Sequence, residues 1–162
     1  MLYHGSNLYI TGQLVPHKSF HYESYVYATS DIYYAIVRAG KFNVNKMLFK
    51  EDYDGTSYTL IELKESALEE AFDTDGFVYV VDESTLYHAD SCMPNEYISS
   101  EPCEIVDVLY LNNILEVICS NKDYYKIIRY GTEEEKEYWN TVNGGREGYM
   151  QRREERIKKL SL

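Results

Sequence analysis

The sequence predicts a mixed α+β domain, and three observations carry that prediction. Residues 76–81 open on a glycine and continue through β-branched and aromatic side chains, the composition of a central strand. Residues 30–40 carry helix signals at both ends, Ser30 or Asp31 to accept from the free N–H groups of the first turn and Gly40 to close the last. Beyond residue 111 the composition turns helical and charged. A chain of 162 residues, 44% hydrophobic and 27% charged, is one domain by size, with enough apolar material for a real core.

Taken in order, residues 2–4 read as a short first strand, followed by a loop through Gly12 and Pro16 and a second strand over residues 22–29. In the helix that follows, Ile32, Ala35, Ile36 and Ala39 fall on one face. Residues 59–63 alternate like a half-buried strand, and the acidic stretch 64–75 reads as a turn or short helix. After the central strand, residues 82–94 read as a loop or an isolated helical turn. Strands are expected over 96–99 and 104–111, separated by the Glu101-Pro102 break. Residues 112–119 form a short helix, and Thr132 with Glu135 offers a capping box for a helix holding Trp139. Asn143-Gly144-Gly145 breaks that helix, and residues 150–162 form a polar one. The division expected is a body over residues 1–111 and a helical C-terminal extension over 112–162 that packs on the same domain.

Composition excludes several functions. A formal net charge of −11 argues against a surface built for non-specific nucleic-acid binding, which relies on cations that neutralise phosphates. Cys92, Cys103 and Cys119 are an odd count without C-x-x-C spacing, so neither a disulfide framework nor a structural zinc site is expected, and a reducing cytoplasm fits best. His17, His21 and His88 have no ligand spacing, and no metal is expected. The N-terminus lacks a basic and then apolar leader, and no apolar run approaches the roughly 20 residues of a membrane span. Absence of a G-x-G-x-x-G, a P-loop and a G-x-S-x-G elbow removes dinucleotide oxidoreductases, phosphate-loop NTPases and ordinary serine hydrolases. Eighteen tyrosines suit a sheet with one face half wet.

Three segments remain that put polar side chains at the ends of strand-like runs: Leu2-Tyr3-His4-Gly5-Ser6, Val26-Tyr27-Ala28-Thr29-Ser30 and Asn95-Glu96-Tyr97-Ile98. The first resembles the His-Gly-Ser/Thr strand of ADP-ribosyltransferases of the poly(ADP-ribose) polymerase and diphtheria toxin type. The second resembles their tyrosine-bearing strand, and the third is similar to the stretch holding the catalytic glutamate in several of the polymerases. The order His, Tyr, Glu matches, and the resemblance spans roughly residues 1–111.

That resemblance implies a split mixed β-sheet and an NAD-consuming transferase that moves a single ADP-ribose onto a macromolecular acceptor, and the net charge favours a protein over a nucleic acid as that acceptor. It implies His4, Tyr27 and Glu96 as the catalytic triad. His4 would bond the adenosine-side ribose, the Gly5 backbone would hold the nicotinamide carboxamide, and Tyr27 would wall the nicotinamide pocket. Ser30 would reach the carboxamide and either Tyr33 or Tyr34 would stack on the pyridinium ring. Glu101 and Glu104 are alternatives to Glu96 in a shifted register, Glu96 being preferred because Asn95, Tyr97 and Ile98 match beside it. Pro94, two residues before Glu96, departs from the Glu-x-Glu pair of arginine-specific toxins. The chain has no counterpart of the helical regulatory domain of several polymerases, which favours single transfer over polymer synthesis.

Taken singly, each residue has a plainer explanation: His4 a strand end, Tyr27 sheet packing, Glu96 a solvated strand start, Ser30 a helix cap. A non-catalytic module that binds NAD, ADP-ribose or a protein is therefore the alternative, and the C-terminal helix is a candidate for self-pairing. The related RNA 2′-phosphotransferase activity calls for several arginines, and the first hundred residues contain only Arg38.

Overall fold

The computed structural model describes residues 1–18, 24–52, 57–88 and 95–160. Residues 22 and 23 of the expected second strand, part of the 82–94 stretch including Cys92 and Pro94, His21, and the end of the expected last helix lie outside them. In chain order the elements are β1 (Leu2–Ser6), β2 (Gln13–Leu14), β3 (His17–Lys18), β4 (Ser24–Thr29), α1 (Ile32–Arg38), β5 (Met47–Glu51), β6 (Tyr58–Glu62) and α2 (Ala67–Phe72). They continue with β7 (Gly76–Val81), β8 (Glu96–Ser99), β9 (Cys103–Leu111), α3 (Ile114–Ser120), β10 (Tyr125–Ile128), α4 (Glu133–Asn140) and α5 (Gly145–Leu160). The fold is mixed α+β, with strands gathered into two sheets.

The larger sheet has the order β2-β9-β7-β1-β4-β3, with β8 on β4, and every pairing in it is antiparallel. Its centre is β7, whose Val78, Tyr79 and Val81 are buried. Strand β7 holds β1 in register from Leu2↔Val81 to Ser6↔Phe77. The buried Tyr79 hydroxyl donates to the Leu8 carbonyl (2.6 Å) and accepts from the Ile10 N–H (2.7 Å), which ties down the loop leaving β1 and satisfies a polar group that burial would otherwise penalise. By contrast β1 and β4 are registered at a single pair, Tyr3↔Thr29, so beyond that rung the two strands form a seam.

Helix α1 packs beside that seam. Its cap is Asp31 and not Ser30: the Asp31 carboxylate accepts from the Tyr33 N–H (2.9 Å), while Ser30 is exposed. Ala35, Ile36, Val37 and Ala39 are buried. Small residues at 35 and 39 let the helix backbone reach β1 at Gly5, where an added Cβ would sit 1.9 Å from the Ala35 carbonyl oxygen. Gly40 does not take a left-handed conformation; it faces the Phe72 ring, 2.6 Å from where its Cβ would be.

The smaller sheet has the order β10-β6-β5, with β10 parallel and β5 antiparallel to β6. Strand β6, expected to be half-buried, is buried along its whole length. The reason is that Tyr58 and Leu60 enter one hydrophobic cluster with Ala35 and Phe72, while Ile61 enters another with Leu48, Ile128 and Trp139. Its polar residues are met inside: Thr59 donates to Asp52 (2.9 Å), and Glu62 accepts from the Leu68 N–H (2.9 Å), the Tyr130 N–H (3.2 Å) and Arg129 Nε (3.1 Å).

The segment after residue 111 is not wholly helical. Between α3 and α4 it supplies β10, which runs parallel to β6 from Tyr125↔Tyr58 to Ile128↔Ile61. Ile114, Ile118 and Tyr125 lie in the same hydrophobic cluster as Ala35 and Phe72, so this segment shares a core with the body of the chain. The cap of α4 follows the expected pattern in part. Thr132 accepts from the Glu135 N–H (3.2 Å), but the Glu135 carboxylate reaches back one residue further, to the Gly131 N–H (3.0 Å). Among the described residues no helix is long and apolar enough to cross a membrane, and no three His, Cys, Asp or Glu side chains gather to hold a metal ion.

Candidate functional site

The seam between β1 and β4 opens a cleft of about 260 Å³. Each wall is fixed from its far side, β1 by β7 and β4 by β8, whose register runs from Val26↔Ser99 to Thr29↔Glu96. Cross-strand pairs share a face of the sheet, as do residues two apart, so Tyr27, Thr29 and Glu96 lie on one face. Among the residues lining the cleft are His4, Gly5, Tyr27, Tyr34 and Glu96.

His4 crosses the seam. Its Nδ1 lies 2.6 Å from the Tyr27 carbonyl oxygen. A carbonyl only accepts, so Nδ1 carries the proton and the neutral ring keeps Nε2 as an acceptor. Burial pushes the His4 pKa below its ordinary 6.5, against the backbone bond, which raises it, and with a further lowering from His17. Just below pH 6.5 the unfolded chain therefore takes a proton at this position that the folded chain refuses, so stability falls as pH drops through that window. Replacing His4 with glutamine is expected to flatten this part of the dependence of melting temperature on pH, measured from about pH 7.5 to about pH 5. Equal slopes in the two proteins would contradict the assignment.

Glu96 begins β8, and its neighbour Asn95 anchors that start twice. The Asn95 carbonyl accepts from the Ser30 N–H (3.1 Å), and its side-chain amide donates to the Tyr58 hydroxyl (3.2 Å). Tyr58 in turn donates to the Asp31 carboxylate that caps α1. Burial first, and the Asp31 bond second, push the Tyr58 phenol far above its usual range, so it remains a donor. The same carboxylate thus sets the start of α1 and, through Tyr58 and Asn95, the start of β8. Glu101 and Glu104 are not among the lining residues of the cleft; Glu104 is registered against Gln13 on β2.

Ser30 and Tyr33 are not brought into the cleft. The Tyr33 ring stacks on Tyr124, with centroids 3.6 Å apart and planes 12° from parallel, and its carbonyl accepts from the Tyr125 hydroxyl (2.5 Å). One residue further, about 100° around the helix, Tyr34 faces the cleft instead. Among the lining residues not singled out for the site from sequence, two carry chemistry of their own, Arg38 and His17. Arg38 lies one helical turn beyond Tyr34, a spacing that places it on the same face. His17 sits on the two-residue β3, registered against Tyr25, where no periodic pattern exists to find it. No family model, curated protein or solved structure matches this chain.

Proposed function

We propose that this protein is an NAD-dependent mono-ADP-ribosyltransferase working on a split sheet, with His4, Tyr27 and Glu96 as its triad. The observation that carries the reading is that these three residues, on three separate strands, line one cleft at the β1–β4 seam, with the His4 ring bonded across it to the Tyr27 carbonyl. The neutral His4 ring, with Nε2 left as acceptor, suits a ribose hydroxyl. Tyr27 and Tyr34 supply aromatic surface for the nicotinamide ring, and the Gly5 backbone lies alongside. Nicotinamide leaves as a neutral base, taking the electron pair of the glycosidic bond. The ribosyl group carries the positive charge until an acceptor nucleophile bonds to the same carbon and releases its proton to solvent. A Glu96 carboxylate bonded to the ribose 2′-hydroxyl stabilises that charge as it grows.

The net charge favours a protein acceptor over a nucleic acid, and a cytoplasmic setting fits the cysteine content. Nicotinamide release from NAD by purified protein tests the reading. Glu96→Gln is expected to lower it about 100-fold or more while melting temperature and NAD binding are kept. Unchanged turnover in the variant would overturn the mechanism.

A second reading, a module that binds NAD or ADP-ribose without cleaving it, is favoured by the position of Ser30 outside the cleft, which leaves the expected carboxamide grip incomplete. A rise in melting temperature with NAD, and no nicotinamide released, would select it.

A further inference from the structure

We propose that Arg38, held by Tyr34 and accompanied by His17, is an anion subsite for the pyrophosphate of a dinucleotide; the inference rests on the NAD reading of the cleft. A second cavity, of about 470 Å³, adjoins the first. The two linings share His4, Gly5, His17 and Arg38, so an elongated ligand that occupies both passes these residues at their junction. Among the described residues Arg38 is the one lysine or arginine in either lining.

Its guanidinium is already positioned. Nε and Nη2 donate to the Tyr34 hydroxyl at 3.3 and 3.0 Å, and Cζ lies 5.3 Å from the Tyr34 ring centroid. Among the described residues Arg38 makes no ion pair, whereas Arg129 and Arg146 both meet carboxylates. A cation in the last turn of α1 is favoured by the helix dipole in any case. That effect does not require a guanidinium, nor a place on the boundary of two cavities. Arginine has five N–H donors in a planar fork suited to phosphate oxygens, and those not taken by Tyr34 remain for a ligand.

A dinucleotide has its charge at the middle and aromatic groups at both ends. The junction has the matching arrangement, a fixed cation between two cavities. Glu96, the one carboxylate in either lining among the described residues, borders the first cavity alone. Arg38 would thus set the register of the ligand, holding the pyrophosphate so that the nicotinamide ribose falls beside Glu96.

Calorimetric titration of ADP-ribose, inorganic pyrophosphate, nicotinamide and NAD into wild type, Arg38→Ala and Arg38→Lys tests this, with melting curves to confirm that the variants fold. Arg38→Ala is expected to weaken ADP-ribose and pyrophosphate binding about tenfold or more and to leave nicotinamide binding unchanged, with Arg38→Lys in between. If ADP-ribose binds the folded alanine variant as tightly as wild type, the subsite is overturned and the NAD reading stands. If pyrophosphate binds in an Arg38-dependent way but NAD does not bind, the anion subsite stands and the NAD reading falls. If wild type binds neither, both fall.

Discussion

Gly5→Ala is expected to lower the melting temperature by about 6–12 °C, through a loss of about 3 kcal/mol, the upper end of the usual cost of overpacking. The added methyl carbon would stand 1.9 Å from the Ala35 carbonyl oxygen and 2.7 Å from the Ala39 nitrogen. Both are backbone atoms, one of α1 and one of its C-cap residue, so no rotamer change relieves the overlap, and the whole helix has to retreat from β1. Retreat would expose Ala35, Val37 and Ala39, which are fully buried. Gly12→Ala makes the control, because nothing lies within 4 Å of its would-be Cβ and only the left-handed φ of 79° opposes the change. It should cost about 1 kcal/mol. A Gly5→Ala protein that melts within about 2 °C of wild type would refute the close approach. The result also bears on how the His-Gly pair is understood, since this glycine has a packing reason that holds with or without a ligand.

Glu62→Ala is expected to destabilise by a comparable amount, about 3 kcal/mol. The Glu62 side chain is 3% exposed, and its carboxylate joins three elements: it meets the N–H of Leu68 on α2, sits on β6, and takes Arg129 and the Tyr130 N–H just after β10. Truncation leaves two backbone donors without their acceptor. Arg129 fares better because Glu69 still pairs with it and solvent reaches it. Glu62→Gln, which keeps volume and an acceptor oxygen, should lose less. The loss should be concentrated where β10 joins β6, read as faster amide exchange over residues 125–128. Uniform exchange and an unshifted melting temperature would show the carboxylate to be dispensable.

Some of this architecture is legible in the chain and some is not, for physical reasons. Strand β7 reads clearly because β-branched and aromatic residues follow an opening glycine, and α1 because a capping side chain precedes an apolar face. Strands β8 and β9 are separated by the break at Glu101-Pro102. Two-residue strands such as β2 and β3 are too short to have a period, and they exist only because β9 and β4 offer an edge. Strand β10 has four residues and one partner, β6, more than sixty positions earlier, so nothing local marks it. Strand β6 looks half-buried in sequence because Thr59 and Glu62 are polar, and only the partners waiting inside show why they are buried. At the cleft, sequence order cannot say which strands adjoin. Nor can it say which of Tyr33 and Tyr34 faces the cleft; the Tyr33 ring is taken up by Tyr124, and Tyr34 is the one in the lining.

The single rung between β1 and β4 makes the cleft the mechanical weak line of the larger sheet. Two well-laddered halves, β9-β7-β1 and β4-β8, are joined along it by Tyr3↔Thr29 and the His4 imidazole. A ligand lying in that gap would act as a strap, replacing the missing rungs with its own hydrogen bonds. Occupancy would then be felt as slower opening of both halves together, well beyond the residues the ligand touches.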